Sequence, residues 1–551
     1  MKNEPYDLYK LPLIRDLKDM LIQKSKVNAE SIAFAYSNGK NQICRTYSEV
    51  FQDVSALGTW LYKQDIQKKH VALIGENSYE WLLCFFAIVC SGGVAVPVDK
   101  ELPEEEIAKM LIKADVCVMF YSNSYGDKAV KIVKLMSEII SNKHIAVYTM
   151  ADMEKFLKKG IEQLSLGERS FLDYQVDRKK LCCIMFTSGT SGSRKGVMLS
   201  HENIAEDINN SCKLFELEGN TISVLPFHHA LGLVVAVFMV LNYGYTVYIN
   251  KGLRMIQKDL QIAKPQTMFL VPLFVETFHK QIWITAKKNG RDKWLRRMMK
   301  FSDFLLDLGI DMRKKMFESV CSFWGGNVRY IICGGAPLGA RYVKEFRSWG
   351  IEILNGYGTT ECSPCVAVNR NHYHKDGTVG IAVPSIDVRI NEVGEVLIKG
   401  PIVMMGYYKD SISTRAVLDN NGWYITGDLG WIDGDGFLTL VGRSKNLIIL
   451  SNGENVSPEE LEEDFLKYEE VQEVLVYEQN GMIVAEIYPN QEFLKEKITE
   501  GDIQEYFNII CREINRNRPM YKQVSNIYLR TTEFPKNTSK KIVRYERKDT
   551  L

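Results

Sequence analysis

The segment Phe186–Val197 reads FTSGTSGSRKGV. Within Thr187–Lys195 fall two glycines (Gly189, Gly192), five hydroxyl side chains (Thr187, Ser188, Thr190, Ser191, Ser193) and one lysine, Lys195. Glycine lets a backbone approach a ligand closely. Successive N–H groups and hydroxyls can then converge on phosphate oxygens, and Lys195 adds a point charge suited to a polyphosphate. The spacing from Gly189 is G-T-S-G-S-R-K, not the G-x-x-x-x-G-K of a Walker loop. Nor does the loop open straight into a helix. An apolar run, Leu181–Phe186, precedes it and Val197-Met198-Leu199 follows. Ser200 then reads as the N-cap of a later helix, with Ile204, Ile208, Cys212 and Phe215 at helical spacing. The reading is a phosphate loop between two strands, which disfavours a P-loop ATPase or kinase.

Around this loop the chain runs to 551 residues, beyond the ~250–300 at which a single core stops growing. Apolar residues make up 46% and charged residues 25%, as in soluble globular proteins. A net charge of +1 offers no field for nucleic acid. The first twenty residues are charged and lack an apolar signal core, and twelve cysteines are scattered without a framework. Both fit a reducing cytoplasm. Cys362-x-x-Cys365 has no second pair to complete a zinc site. Two apolar runs approach membrane-spanning length. Ser91-Gly92-Gly93 divides Trp81–Val98, and Asn242-Tyr243-Gly244 divides Ala230–Ile249, so each reads as a buried helix followed by a strand.

Strand-like runs at Val71–Ile74, Val116–Phe120, Arg329–Cys333 and Ile351–Leu354 alternate with helical patterns, which predicts α/β layers with largely parallel sheets. After about residue 370 the strands shorten (Val388–Ile390, Glu395–Lys399). From about residue 446 a small α+β unit is expected, with a helix from Pro458 and alternation from Val471 to Ile487. The segment 286–300 is basic, with Lys287, Lys288, Arg291, Lys293, Arg296, Arg297 and Lys300 around Trp294, Leu295, Met298 and Met299 at roughly helical spacing. It reads first as a solvated helix face packed on the core. Its second reading is peripheral contact with an anionic membrane, or guidance of an amphiphilic substrate.

Further motifs complete a pattern. Gly334-Gly335-Ala336-Pro337-Leu338 follows a strand and permits backbone contact with a flat base. Asn355-Gly356-Tyr357-Gly358-Thr359-Thr360-Glu361 offers a ring, two hydroxyls and a hard carboxylate suited to Mg²⁺. Trp423–Asp428 ends in a carboxylate able to accept from two vicinal hydroxyls, and Gly442-Arg443-Ser444-Lys445 follows after one short strand. Pro226-Phe-His-His-Ala-Leu-Gly232, Leu450–Leu461 (LSNGENVSPEEL) and Phe534–Ile542 (FPKNTSKKI) complete the set. His372 and His374 lie in a polar loop and read as surface.

Together these stretches resemble the adenylate-forming (AMP-binding) superfamily over essentially the whole chain. Its phosphate loop usually reads T-S-G-T-T-G-x-P-K-G; here Ser191 replaces the second threonine of the pair and Arg194 the proline. The basic segment before the Gly-Gly-Ala turn and the LSNGENVSPEEL loop look like the bacterial long-chain acyl-CoA synthetase branch. The resemblance implies α/β architecture: a large N-terminal AMP-binding domain, 1–444, of layered α/β subdomains plus a β-rich subdomain, and a small mobile α+β C-terminal domain, 445–551. It implies ATP contacts from Thr187, Ser188, Gly189, Thr190, Ser191, Gly192, Lys195, Gly334, Gly335, Ala336, Pro337, Gly356, Tyr357, Gly358, Thr359, Thr360, Asp428, Arg443 and Lys541. Of these, Tyr357 would stack on adenine, and Asp428 and Arg443 would hold the ribose. Thr190 and Glu361 would lie on the metal side. Lys541 would be the catalytic lysine beside Lys195, with Lys540 a competing position where the family has glycine and Asn537 standing for a threonine. His229, counted back from Gly232, would gate the carboxylate tunnel, whose wall the apolar 230–240 region could supply. Lys445 would be the hinge, and Gly453 would line the CoA channel. The implied reaction consumes a carboxylic acid, ATP and CoA with Mg²⁺. An acyl carrier protein is the alternative acceptor, and a non-catalytic acyl-binding protein is a remoter alternative.

Overall fold

The computed structural model describes residues 6–39, 41–140, 145–187, 194–250, 252–450, 454–468, 470–491, 494, 503–516, 518–536, 542 and 544. By internal contacts the chain divides into two compact units. The first comprises Met1–Leu338, Tyr342–Val388 and Ile398–Tyr424; the second comprises Gly339–Arg341, Arg389–Leu397 and Ile425–Leu551. The expected boundary at 444/445 falls inside the second unit, in the turn Ser444–Asn446.

The first unit is layered α/β. Its seven-stranded sheet runs in the order Gly406–Tyr407, Lys195–Ser200, Leu181–Thr187, Val94–Val98, His70–Ile74, Val118–Tyr121, Ala146–Thr149. The strands from His70 to Thr149 pair in parallel. His70–Ile74, Val94–Val98 and Val118–Tyr121 are near-continuous apolar runs, as strands covered on both faces must be, whereas the edge strand Ala146–Thr149 is exposed at Ala146 and Val147. A second sheet joins Thr267–Leu270, Tyr330–Cys333 and Glu352–Gly358 in parallel, then turns antiparallel through Cys365–Val368 and Ile381–Ala382. A third carries Asn41–Thr46, Ile32–Asn38, Val247–Ile249 and Thr221–Ser223.

Both long apolar runs resolve as their glycines suggest. Tyr79–Cys90 is a helix buried on almost every side, and Val94–Val98 is the next strand. Leu231–Met239 is π-helical and buried along nearly its whole length, continues through Val240–Tyr243, and gives way to Val247–Ile249. Among the described residues no helix is long and apolar enough to cross a membrane. The basic segment does not form one helix. Pro272–Lys288 ends where Asn289-Gly290 turns, with the Arg291 N–H returning to the Ala286 carbonyl, and Asp292–Asp307 begins a second helix.

The shortening of strands expected after about residue 370 does not hold in the second unit: Val471–Gln479 runs 9 residues and Met482–Pro489 runs 8, against 7 for the longest described strands of the first unit. The second unit's four-stranded sheet has the order Asp387–Ile390, Glu395–Lys399, Tyr424–Ile432, Leu438–Arg443. Helix Pro458–Phe465 and helix Ile503–Arg516 pack with the sheet Val471–Gln479, Met482–Pro489, Asn526–Leu529. They share one core that includes Leu461, Phe465, Val476, Ile487, Phe507 and Ile527. Asn480 and Gly481, both at positive φ, make the two-residue hairpin between the first two strands.

Candidate active site

The phosphate-loop motif sits on a β-hairpin. Leu181–Thr187 and Lys195–Ser200 pair antiparallel, with Thr187 opposite Lys195. The hairpin therefore ends on the two residues that bracket the glycine-hydroxyl segment. Ser188, Gly189, Thr190, Ser191, Gly192 and Ser193 lie outside the described residues. Ser200 caps helix His201–Leu214 in a reciprocal box with Asn203. Arg194, standing where the family has proline, pairs through its guanidinium with Glu106 on helix Glu104–Lys113.

Lys195 and Glu361 both touch one side chain that sequence reasoning missed. Strand Gly406–Tyr407 pairs with Lys195–Ser200, placing Tyr407 opposite Val197. The Lys195 Nζ lies 4.8 Å from the centroid of the Tyr407 ring, within cation–π range. The Tyr407 hydroxyl donates to the Glu361 carboxylate at 2.9 Å. Burial first, then the Glu361 charge, pushes the phenol's pKa upward, so it stays protonated as a donor at neutral pH. Glu361 itself is fixed in a short turn, Thr360–Cys362, and its carbonyl accepts from the Met404 N–H at 2.8 Å. The signal for Tyr407 was a Gly406-Tyr407 pair after an apolar stretch, too common to read alone.

The strand Glu352–Gly358 carries the second motif. Tyr357 is largely buried, at 9% exposure. Gly356 pairs with Val368 and Gly358 with Cys365. The Thr359 hydroxyl is buried and finds no hydrogen-bond partner among the described residues. A buried polar group left this way costs roughly 1–3 kcal/mol, so the hydroxyl suits a ligand oxygen. The strand Tyr330–Cys333 delivers Gly334, whose N–H donates to the Leu270 carbonyl at 3.2 Å. Gly335 follows at φ +86°, where a side chain would be strained. It is exposed together with Pro337, while Ala336 is half-buried.

His229 and His228 stand side by side, ring centroids 4.3 Å apart. His228, not chosen from the sequence, lies 3.6 Å from Asp99. Burial and the neighbouring His229 push its pKa down to about 3, against the pull of Asp99. His228 is therefore neutral at physiological pH. The glycine of this motif has a steric reason. A Cβ on Gly232 would sit 2.3 Å from the Pro226 carbonyl oxygen.

In the second unit, Asp428 and Arg443 are directly opposite across an antiparallel pair. The Arg443 Nε lies 2.7 Å from the Asp428 carboxylate. The Thr426 hydroxyl accepts from the Asp428 N–H at 3.0 Å and donates to the Val396 carbonyl at 2.8 Å. The aspartate backbone is thus fixed on a buried strand. Lys445 lies in the turn Ser444–Asn446. Gly453, Lys540 and Lys541 are outside the described residues, but the flanks of Lys541 are placed. Lys536 and Ile542 form an antiparallel bridge. Arg544 pairs with Glu462 on helix Pro458–Phe465 and lies 3.5 Å from Glu459.

Among the described residues no three metal-binding side chains gather. Glu361 is a single carboxylate, the donor set that Mg²⁺ accepts when phosphates supply further oxygens.

A family model described as AMP-binding enzyme matches residues 23–408. The chain is similar to the probable acyl-activating enzyme 16, chloroplastic, of Arabidopsis thaliana, 27% identical over 531 residues and covering 81% of this chain and 72% of that protein. It is equally similar to human long-chain-fatty-acid–CoA ligase 1, 27% identical over 512 residues, with 85% and 72% covered. Among solved structures it shares its fold with o-succinylbenzoate-CoA synthetase from Bacillus subtilis. With the acyl-adenylate intermediate bound, that enzyme gives a TM-score of 0.72 at 21% identity, with 97% of this chain and 98% of that chain covered. With ATP and magnesium ion bound, the TM-score is again 0.72 at 22% identity, with 96% and 99% covered.

Proposed function

The chain belongs to the AMP-binding enzyme family, and on that premise we propose that it is an acid–CoA ligase whose acid is a long-chain fatty acid. The observation that carries the ligase chemistry is the Lys195–Tyr407–Glu361 contact, which sets a cation and a metal-type carboxylate against one phenol. The choice of a long-chain acid is supported by the names of the relatives and by the apolar helix Leu231–Met239 beside His229.

In the first half-reaction a carboxylate oxygen attacks the α-phosphorus of ATP, and the bond to the β,γ-diphosphate breaks. The obstacle is repulsion between two anions, so catalysis is positioning and charge neutralisation. Lys195 and Lys541 would supply the protein's positive charge. Thr190 and Glu361 would hold Mg²⁺, which screens the phosphate charge when bound. Gly334–Pro337 and Tyr357 would face the adenine, and Asp428 and Arg443 the ribose. Binding would require Arg443 to share or release the Asp428 carboxylate it now holds. In the second half-reaction the CoA thiol gives its proton to solvent, its sulfur attacks the acyl carbonyl, and the bond from the acyl carbon to the phosphate oxygen breaks as AMP leaves. Gly453 would line the thiol's path, and Lys445 would be the pivot between the two steps.

The test is AMP formation with ATP and Mg²⁺ across fatty acids of increasing length, with and without CoA. CoA-dependent AMP release that peaks at long chains is expected. Pyrophosphate release indifferent to CoA would reassign the acceptor, and a peak at short or aromatic acids would overturn the substrate. Lys541→Ala is expected to slow adenylation at least ~10²–10³-fold, the usual loss for one transition-state donor; near-normal pyrophosphate release would remove Lys541 from the mechanism.

A further inference from the structure

We propose that the helix Asp292–Asp307 is a docking strip for an anionic lipid bilayer. The helix has two apolar faces. Leu295 and Ser302 are buried, and Met298 and Met299 pack against the first unit's core. That face accounts for the fold. At 100° per residue, a second stripe lies roughly 100–180° around the axis from Leu295, and it is exposed. Trp294 is 49% exposed, Phe301 51%, Phe304 57% and Leu308 60%. Trp294, Phe301 and Leu308 recur every seven residues, two turns apart, and Phe304 fills the adjoining row. From Trp294 to Leu308 the line runs about 21 Å at 1.5 Å per residue.

Single exposed apolar residues are ordinary, but a line of large ones marks an interaction surface. The charges beside it choose the partner. On the same wheel Arg297 falls inside the stripe and Lys293 and Lys300 fall at its edge, while Lys288 and Arg291 precede it. Of the acidic residues, Asp307 falls just beyond Lys300, and Asp303 lies further round, next to the packed face, where it accepts from the Ser348 hydroxyl. Aromatic side chains bracketed by cations on a helix lying flat fit a bilayer interface, where rings enter the headgroup boundary and each cation near the surface contributes about 1 kcal/mol. The strip is present whatever acid the enzyme activates.

The experiment is flotation of the full-length protein with vesicles of phosphatidylcholine alone and of phosphatidylcholine mixed with phosphatidylglycerol, at low and high salt. The wild type is expected to float with the anionic vesicles and to be released by salt. A Phe301→Ser/Phe304→Ser variant is expected to lose roughly tenfold in the bound-to-free ratio, the loss of a little over 1 kcal/mol. Arg297→Glu/Lys300→Glu is expected to lose the preference for phosphatidylglycerol. AMP formation from a water-soluble acid and the unfolding temperature should be unchanged in both. Brominated phosphatidylglycerol should quench tryptophan fluorescence in the wild type and not in Trp294→Phe. Wild-type protein that ignores anionic vesicles, or variants that float like wild type, would overturn the proposal. Self-association through this helix without vesicle binding would also overturn it, in favour of a protein interface.

Discussion

Lys195 and Glu361 are far apart in the chain and meet on the phenol of Tyr407. The ring and the hydroxyl do different things there, and the difference can be measured. Tyr407→Phe keeps the face over which the Lys195 ammonium lies and removes only the donor to Glu361. A hydrogen bond to a charged group is worth about 1.5–3 kcal/mol. Without it the carboxylate loses its fixed orientation, so the Mg²⁺ concentration that half-activates ATP–pyrophosphate exchange is expected to rise roughly tenfold or more. Tyr407→Ala should also raise the KM for ATP, because Lys195 loses its seat. An unchanged Mg²⁺ requirement in Tyr407→Phe would mean the contact only packs the strand. Glu361 was legible in the sequence because its motif is long and specific. Tyr407 was not, because its role exists only after strand Gly406–Tyr407 pairs beside Lys195. The Arg194–Glu106 pair likewise turns an apparent departure from the phosphate-loop pattern into an anchor.

At the level of elements, close backbone approach explains a motif residue. Gly232 lies in the π-helical segment next to the Pro226 carbonyl, and a Cβ there would overlap a backbone oxygen that cannot swing aside. Gly232→Ala is expected to cost about 1–3 kcal/mol by overpacking, visible as a lower unfolding temperature. The sequence located this helix and the strand after it, but not its π winding, because an all-apolar segment has no polar face to report its period. Helix Pro458–Phe465 offers a second test. Burial raises the Glu462 carboxyl to about 7, although Arg544 opposes the shift. Because the folded value lies above the free one, this group's contribution is full below the unfolded pKa, near 4.3, and is lost as pH rises through about 7. Glu462→Gln cannot ionise. Wild type should therefore lose stability relative to Glu462→Gln between pH 5 and 8, read by urea unfolding, whereas parallel curves would show that the ion pair fully offsets burial. The Lys541 region was readable as a motif only. What holds its flanks, Lys536 against Ile542 and Arg544 against Glu462, depends on contacts distant in sequence.

At the scale of the whole molecule, the alternation of strands and helices was legible because each buried strand is an uninterrupted apolar run ended by a turn, as at Val94–Val98 after Ser91-Gly92-Gly93. The division into units was less so. The sequence places a boundary at 444/445, where a motif ends, whereas the contacts group 425–444 with the C-terminal core. Strand pairing such as Asp428 with Arg443 joins segments that the motif reading separates. This matters for the proposed pivot. Lys445 lies in a 3₁₀ turn, where φ is near −50 to −70°. Proline holds φ near −65°, so Lys445→Pro is compatible with the present turn and opposes rotation away from it. If Lys445 is the pivot, one half-reaction should survive and the other slow. From the expected order, thioester formation from preformed acyl-adenylate should fall more than pyrophosphate release, while Lys445→Gly, which frees the same torsion, should leave both within a few-fold of wild type. Equal loss of both half-reactions in Lys445→Pro would place the pivot elsewhere, and the 424/425 division would be the next position to test.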